Sequence, residues 1–160
     1  MLKIAAVSAL SIAILSLSAP AYAGGQKIGN DLGKCRSGNG PAVLVKVSGV
    51  KAATGNMRVQ TYRGIKSEWL KTGAWLHRVD VPAQTGNMQF CLPITEAGTY
   101  AVAIRHDINN NGKTDIFGDG GGMSNNPSIS IFNLGKPSYK KTKFVVGNEV
   151  KSINIKMKYR

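Results

Sequence analysis

Gly98-Thr99-Tyr100-Ala101-Val102-Ala103-Ile104-Arg105-His106-Asp107-Ile108-Asn109-Asn110-Asn111-Gly112-Lys113-Thr114-Asp115 changes character halfway along. Tyr100, Val102 and Ile104 alternate with Ala101, Ala103 and Arg105, the period of two that puts successive side chains on opposite faces of a β-strand. The run then gives way to Asp, Asn and Gly, which favour turns because their side chains bond local backbone or tolerate left-handed conformations. A strand running straight into a polar loop is therefore predicted here, and Tyr100, just after Gly98, has the placement of a tyrosine corner.

The same period recurs on both sides. Val43, Val45 and Val47 alternate with Leu44, Lys46 and Ser48, and Met57, Val59 and Thr61 with Arg58, Gln60 and Tyr62 after a turn at Thr54-Gly55-Asn56. Met88, Phe90 and Leu92 face one way and Cys91 the other, a weak strand spans 77–81, and Phe144 and Val146 mark a late one. Ile153, Ile155, Met157 and Tyr159 define the last inward face against Asn154, Lys156 and Lys158. Short alternating segments separated by Gly, Pro and Asn predict an all-β fold, a single antiparallel β-sandwich of about seven strands with a long Gly/Asn-rich loop over 107–139. One or two helical turns are predicted within 65–75, a short strand near Ile129, Ile131 and Phe132, and a hinge or tip at 118–122.

The amino terminus reads as a signal peptide over 1–23: Lys3, an apolar run over 4–17, and a small-x-small site at Ala21-Tyr22-Ala23. Cleavage between Ala23 and Gly24 predicts a periplasmic or secreted mature chain of about 137 residues with no transmembrane segment. Residues 24–40 read as an amino-terminal arm and 41–160 as the sandwich domain. An oxidising compartment favours a disulfide between the only cysteines, Cys35 and Cys91. That bond would hold the arm against the outer face of a sheet.

The formal charge is +13, and +12 once Lys3 is removed. Lys136, Lys140, Lys141, Lys143, Lys151, Lys156, Lys158 and Arg160 crowd the carboxyl end. Export and the lack of interleaved aromatic residues argue against nucleic acid. Anionic envelope polymers or lipid headgroups are the predicted electrostatic partners, against the alternative of a solvated face that keeps the chain soluble.

The Asp/Asn loop admits two readings. With Asp107 first, Asn109 falls third, Asn111 fifth, Gly112 sixth, Lys113 seventh through its carbonyl, and Asp115 ninth, the oxygen spacing of a calcium loop. Gly118 stands twelfth, where such loops end in a bidentate Glu, and Asp119 comes one residue later. The other reading is an Asx-turn loop that needs no ion.

These residues resemble a bacterial exported family known as domain of unknown function 2141. Its members show a Gly-Thr-Tyr-Ala strand, a His-Asp-x-Asn-x-Asn-Gly-Lys-x-Asp loop, then Gly-x-Ser-Asn-Asn and Gly-x-Pro-Ser-aromatic. Here these are residues 98–101, 106–115, Gly122-Met123-Ser124-Asn125-Asn126 and Gly135-Lys136-Pro137-Ser138-Tyr139. The resemblance covers roughly 42–158 and implies a prealbumin-like or carboxypeptidase-regulatory-like β-sandwich, with no established activity. Members usually carry Pro-x-Glu before Ser-Asn-Asn, where this chain has Gly118-Asp119-Gly120-Gly121.

Other sets are sparse. His77 and His106 are too few for a transition-metal site, and His106 reads as a packed or edge histidine. Ser124, His106 and Asp119 could be assembled into a triad, but no nucleophile elbow supports one. Trp69 and Trp75 suit either sugar stacking or coverage of an open end of the sandwich. The expected function is a non-enzymatic exported module that binds or scaffolds in the cell envelope through the 107–139 loop. The alternatives are a calcium-stabilised envelope module and an envelope hydrolase.

Overall fold

A computed structural model describes residues 25–130, 133 and 135–160. The signal segment and the strand expected at Ile131 and Phe132 lie outside the described residues. Among the described residues the strands are β1 (Gln26–Lys27), β2 (Ala42–Val50), β3 (Asn56–Arg63), β4 (His77–Pro82), β5 (Gly86–Pro93), β6 (Gly98–Asp107), β7 (Gly120–Met123), β8 (Phe144–Val146) and β9 (Val150–Lys156), with one short α-helix, α1 (Tyr139–Thr142).

They form two sheets. The larger runs β1-β4-β3-β6-β7, with β8 also paired to β6, and the smaller runs β5-β2-β9. Valines of β2 and Phe90 and Leu92 of β5 meet Met57 and Val59 of β3, Val79 of β4 and Tyr100, Val102 and Ile104 of β6 in one core. Ile155 and Met157 join it from the carboxyl end. Alternation was thus a sound guide to faces.

It was not a guide to direction or strand number. The structure has nine described strands in two mixed sheets, because β1 pairs parallel to β4 and β9 parallel to β2. Residues 147–149 carry the chain from the larger sheet to the smaller, so the order of connections fixes the direction of β9. A period of two is the same for either direction.

Within 65–75 one helical-type turn forms, with Trp69 N–H donating to the Ile65 carbonyl at 3.2 Å, and Leu70 at φ 55° ends it before regular helix can develop. One further expectation is corrected. The long loop is interrupted: β7 falls inside it, α1 begins at its last residue, Tyr139, and Gly120-Gly121-Gly122 of the expected hinge or tip form an edge strand against β6. Gly121 and Lys158 exchange backbone hydrogen bonds of 2.9 Å, which tie that edge to the carboxyl-terminal segment beyond β9.

The arm crosses from one sheet to the other. Ile28 N–H donates to the Arg78 carbonyl at 2.9 Å on β4, and Asn30 brackets β5 through the Gln89 carbonyl and Cys91 N–H. A 3-10 turn, Leu32–Cys35, then delivers Cys35 to Cys91. That disulfide is buried with Ala42 on the outer face of the smaller sheet, on the side of β5 away from the main core.

Candidate functional site

β6 ends at Asp107, whose buried carboxylate organises the loop that follows. One oxygen accepts from Asn111 N–H at 3.2 Å and the other from Gly112 N–H at 2.9 Å. Asn109 and Asn111 each bond backbone two residues on, at Asn111 and Lys113, the Asx-turn arrangement. Their amide groups both donate to one oxygen of Asp115, at 2.8 Å each. Asp119 closes the far side by accepting from Ile108 N–H at 3.2 Å and Asp115 N–H at 3.0 Å. Positive φ at Asn110 (57°) and Gly112 (77°) supplies the left-handed residues the turn needs.

Arg105 acts as an internal cation of this loop. Its guanidinium donates to Thr114 Oγ1 at 3.0 Å, to the Gly112 carbonyl at 3.0 Å and to Asp107 at 3.2 Å. A calcium ion seated on Asp107 would share that carboxylate with a fixed positive charge, and two backbone amides also occupy its oxygens. As it stands, the donor set is satisfied by Asx turns and by Arg105. Among the described residues, no group of three or more His, Cys, Asp and Glu side chains is placed to hold a metal.

The loop's far end faces outward. Ile116 is 53% and Phe117 82% exposed, beside a shallow concavity shared with Ile108, Asp115 and Asp119.

A second concavity opens on the other side of Asp107, over the outer face of the larger sheet. Register sets Arg58 of β3 opposite both Asp80 of β4 and Arg105 of β6. Asp80 binds Arg58 Nε at 2.8 Å and Arg78 Nε at 2.6 Å through different oxygens, and Lys27 Nζ stands 3.9 Å away. Burial works to raise the Asp80 pKa, but the hydrogen bonds from Arg78 and Arg58 outweigh it and hold the carboxyl below its usual value. Burial, and then the neighbouring Arg58, lowers the pKa of Arg105. The resulting cleft of about 240 Å³ is walled by Asn56 and, from the loop, by Asn110 and Gly112. Sequence reading missed this cluster. Each arginine falls in a strand, but only the register between strands sets Arg58 opposite Arg105 and brings Arg78 diagonally across from Arg58.

The remaining candidates have structural partners. His106 is fully buried between the Thr54 carbonyl, 2.7 Å from Nε2, and the Tyr159 hydroxyl, 2.8 Å from Nδ1. The carbonyl can only accept, so Nε2 carries a proton. Ser124 Oγ accepts from Val102 N–H at 3.0 Å and donates to the Thr142 carbonyl at 2.6 Å, so it is not directed at His106. Trp69 bonds the Pro137 carbonyl at 2.8 Å and packs with Trp75, Tyr62 and Met123 on the larger sheet's outer face. The tryptophans thus cover a sheet face rather than an open end of the sandwich. At the carboxyl end, Lys158 and Arg160 donate to the Pro127 and Ile129 carbonyls at 3.0 Å each, so part of the terminal charge holds neighbouring chain in place.

These features define an all-β domain of two mixed sheets, with a self-bonded Asp/Asn turn and a basic cleft on the outer face of the larger one. The chain belongs to the family described as "Uncharacterized protein conserved in bacteria (DUF2141)", which matches residues 45–154. No curated protein and no solved structure matches it.

Proposed function

We propose that this chain is an exported, non-enzymatic β-sandwich module of prealbumin-like type that binds in the cell envelope through the 107–139 segment, with anionic lipid headgroups as its partner. The observation that carries the reading is the pair Ile116 and Phe117, held out at 53% and 82% exposure by a loop bonded to itself on both flanks. Large apolar side chains fixed outward on a basic protein suit a surface that is apolar beneath and negative on top. Phe117→Ser should abolish most retention on phosphatidylglycerol vesicles and leave the unfolding midpoint unchanged. Wild-type retention should fade as salt is raised. Equal retention of both proteins would sink the proposal.

In this reading Arg105 ties the loop and calcium is not needed for it. Thermal unfolding in chelator and in millimolar calcium should then coincide, with magnesium as control. Ligand at ten times its Kd would add about 1.4 kcal/mol, several degrees for a domain this size. A calcium-selective rise that Asp107→Ala removes would restore the ion site.

A further inference from the structure

The cleft over Arg58, Arg78 and Arg105 carries more positive charge than the fold needs. Its lining holds four cations, Lys27 and the three arginines, against two carboxylates, Asp80 and Asp107. Arg58 and Arg105 stand directly opposite each other on antiparallel strands, a like-charge pairing that is unfavourable unless compensated. Asp80 meets Arg58 and Arg78 only through their Nε atoms, and among the described residues neither terminal Nη pair has a protein acceptor. Arg105 Nε is buried and also without a partner. The two guanidinium groups are 24% and 17% exposed in their side chains, so water screens them only in part.

Two guanidinium ends free of hydrogen-bond acceptors line one small cleft, that of Arg78 lying 5.9 Å from the Trp75 ring centroid, and they match the oxygens of an oxyanion, which arginine binds with paired N–H donors. The unbalanced charge of two matches a phosphomonoester, which carries roughly −1.5 to −2 at neutral pH. Lys27 Nζ at the rim supplies a mobile point charge, and Asn110, from the Asp107 loop, walls the entrance. We infer that this cleft is a binding site for a phosphoryl group. The site lies on β1, β3, β4 and β6 with the Asp107 loop as one wall, and depends on neither export nor the Ile116-Phe117 tip.

The test is thermal unfolding and calorimetric titration of the oxidised mature chain with inorganic phosphate, against sodium chloride at matched ionic strength and against acetate. Phosphate should raise the midpoint where chloride and acetate do not. Arg58→Gln should weaken binding about tenfold, the effect of losing one charge-assisted hydrogen bond. Lys27→Gln, at an exposed rim position, should weaken it by a smaller factor without disturbing the fold, and keeps the test open if Arg58→Gln unfolds. Lys140→Gln, on α1, should bind as wild type. No phosphate-selective shift, an equal shift with acetate, or undiminished binding by both cleft variants would overturn the site. Displacement of bound phosphate by phosphatidic acid vesicles, but not phosphatidylglycerol vesicles, would identify a headgroup monoester as the source; phosphate left bound would identify a soluble one, and the site stands in either case.

Discussion

Asp80 shows how one residue sets the charge of a whole face. Each of its oxygens receives one arginine, and the carboxyl is held below its usual pKa. A carboxyl depressed in the folded state stabilises it fully above the unfolded pKa of about 3.9 and loses that contribution as pH falls through the folded value. Asp80→Asn should therefore lower stability at neutral pH and flatten the pH dependence of unfolding below about pH 4. Urea midpoints of both proteins from pH 7 down to pH 2 measure this, and parallel curves would show that ionisation of Asp80 contributes nothing. At this scale the sequence was legible where partners are near. Tyr100 donates to the Glu96 carbonyl at 2.8 Å, four residues back, as a tyrosine corner requires. The partners of His106 lie 52 and 53 residues away, at Thr54 and Tyr159, so its packed role could be anticipated but its hydrogen bonds could not.

Among the elements, β7 is the one composition concealed. Gly120-Gly121-Gly122 carries no side-chain alternation to betray a strand, and glycine is a poor strand former in general. Its use here is close approach. A Cβ on Gly122 would stand 2.7 Å from Ile155 Cγ2 and 3.1 Å from Met157 sulfur, both in the packed core. One on Gly121 would meet only Ile129 Cδ1, at 3.8 Å. Gly122→Ala should thus cost about 1–3 kcal/mol, as overpacking does, whereas Gly121→Ala should be near neutral. Equilibrium denaturation of the two variants side by side measures the difference, and equal losses would mean that strand backbone, not contact with β9, sets the cost. The calcium-like spacing of Asp107, Asn109, Asn111 and Asp115 is ambiguous for a different reason: ion loops and Asx turns place oxygens at similar intervals, and Arg105, aimed into the loop from β6, is a contact that spacing does not encode.

For the whole molecule, alternation located the two faces of nearly every strand, yet the sheets' mixed directions depend on connections that no local pattern encodes. The arm is the clearest instance. Its low apolar content marked it as peripheral, but it joins β4 of one sheet to β5 of the other and ends in the Cys35–Cys91 disulfide. The closed loop spans a sequence separation of 56, which in the chain-entropy account stabilises the fold by about 4 kcal/mol through restriction of the unfolded chain. The double variant Cys35→Ser/Cys91→Ser removes that restriction without changing β1 or the bonds of Asn30. If entropy dominates, urea unfolding should show a loss near this size together with a larger m value, because the unlinked unfolded chain exposes more surface. A loss of less than about 1 kcal/mol with m unchanged would mean that the backbone bonds of Ile28 and Asn30 alone fix the arm, and that the disulfide merely caps an attachment already made.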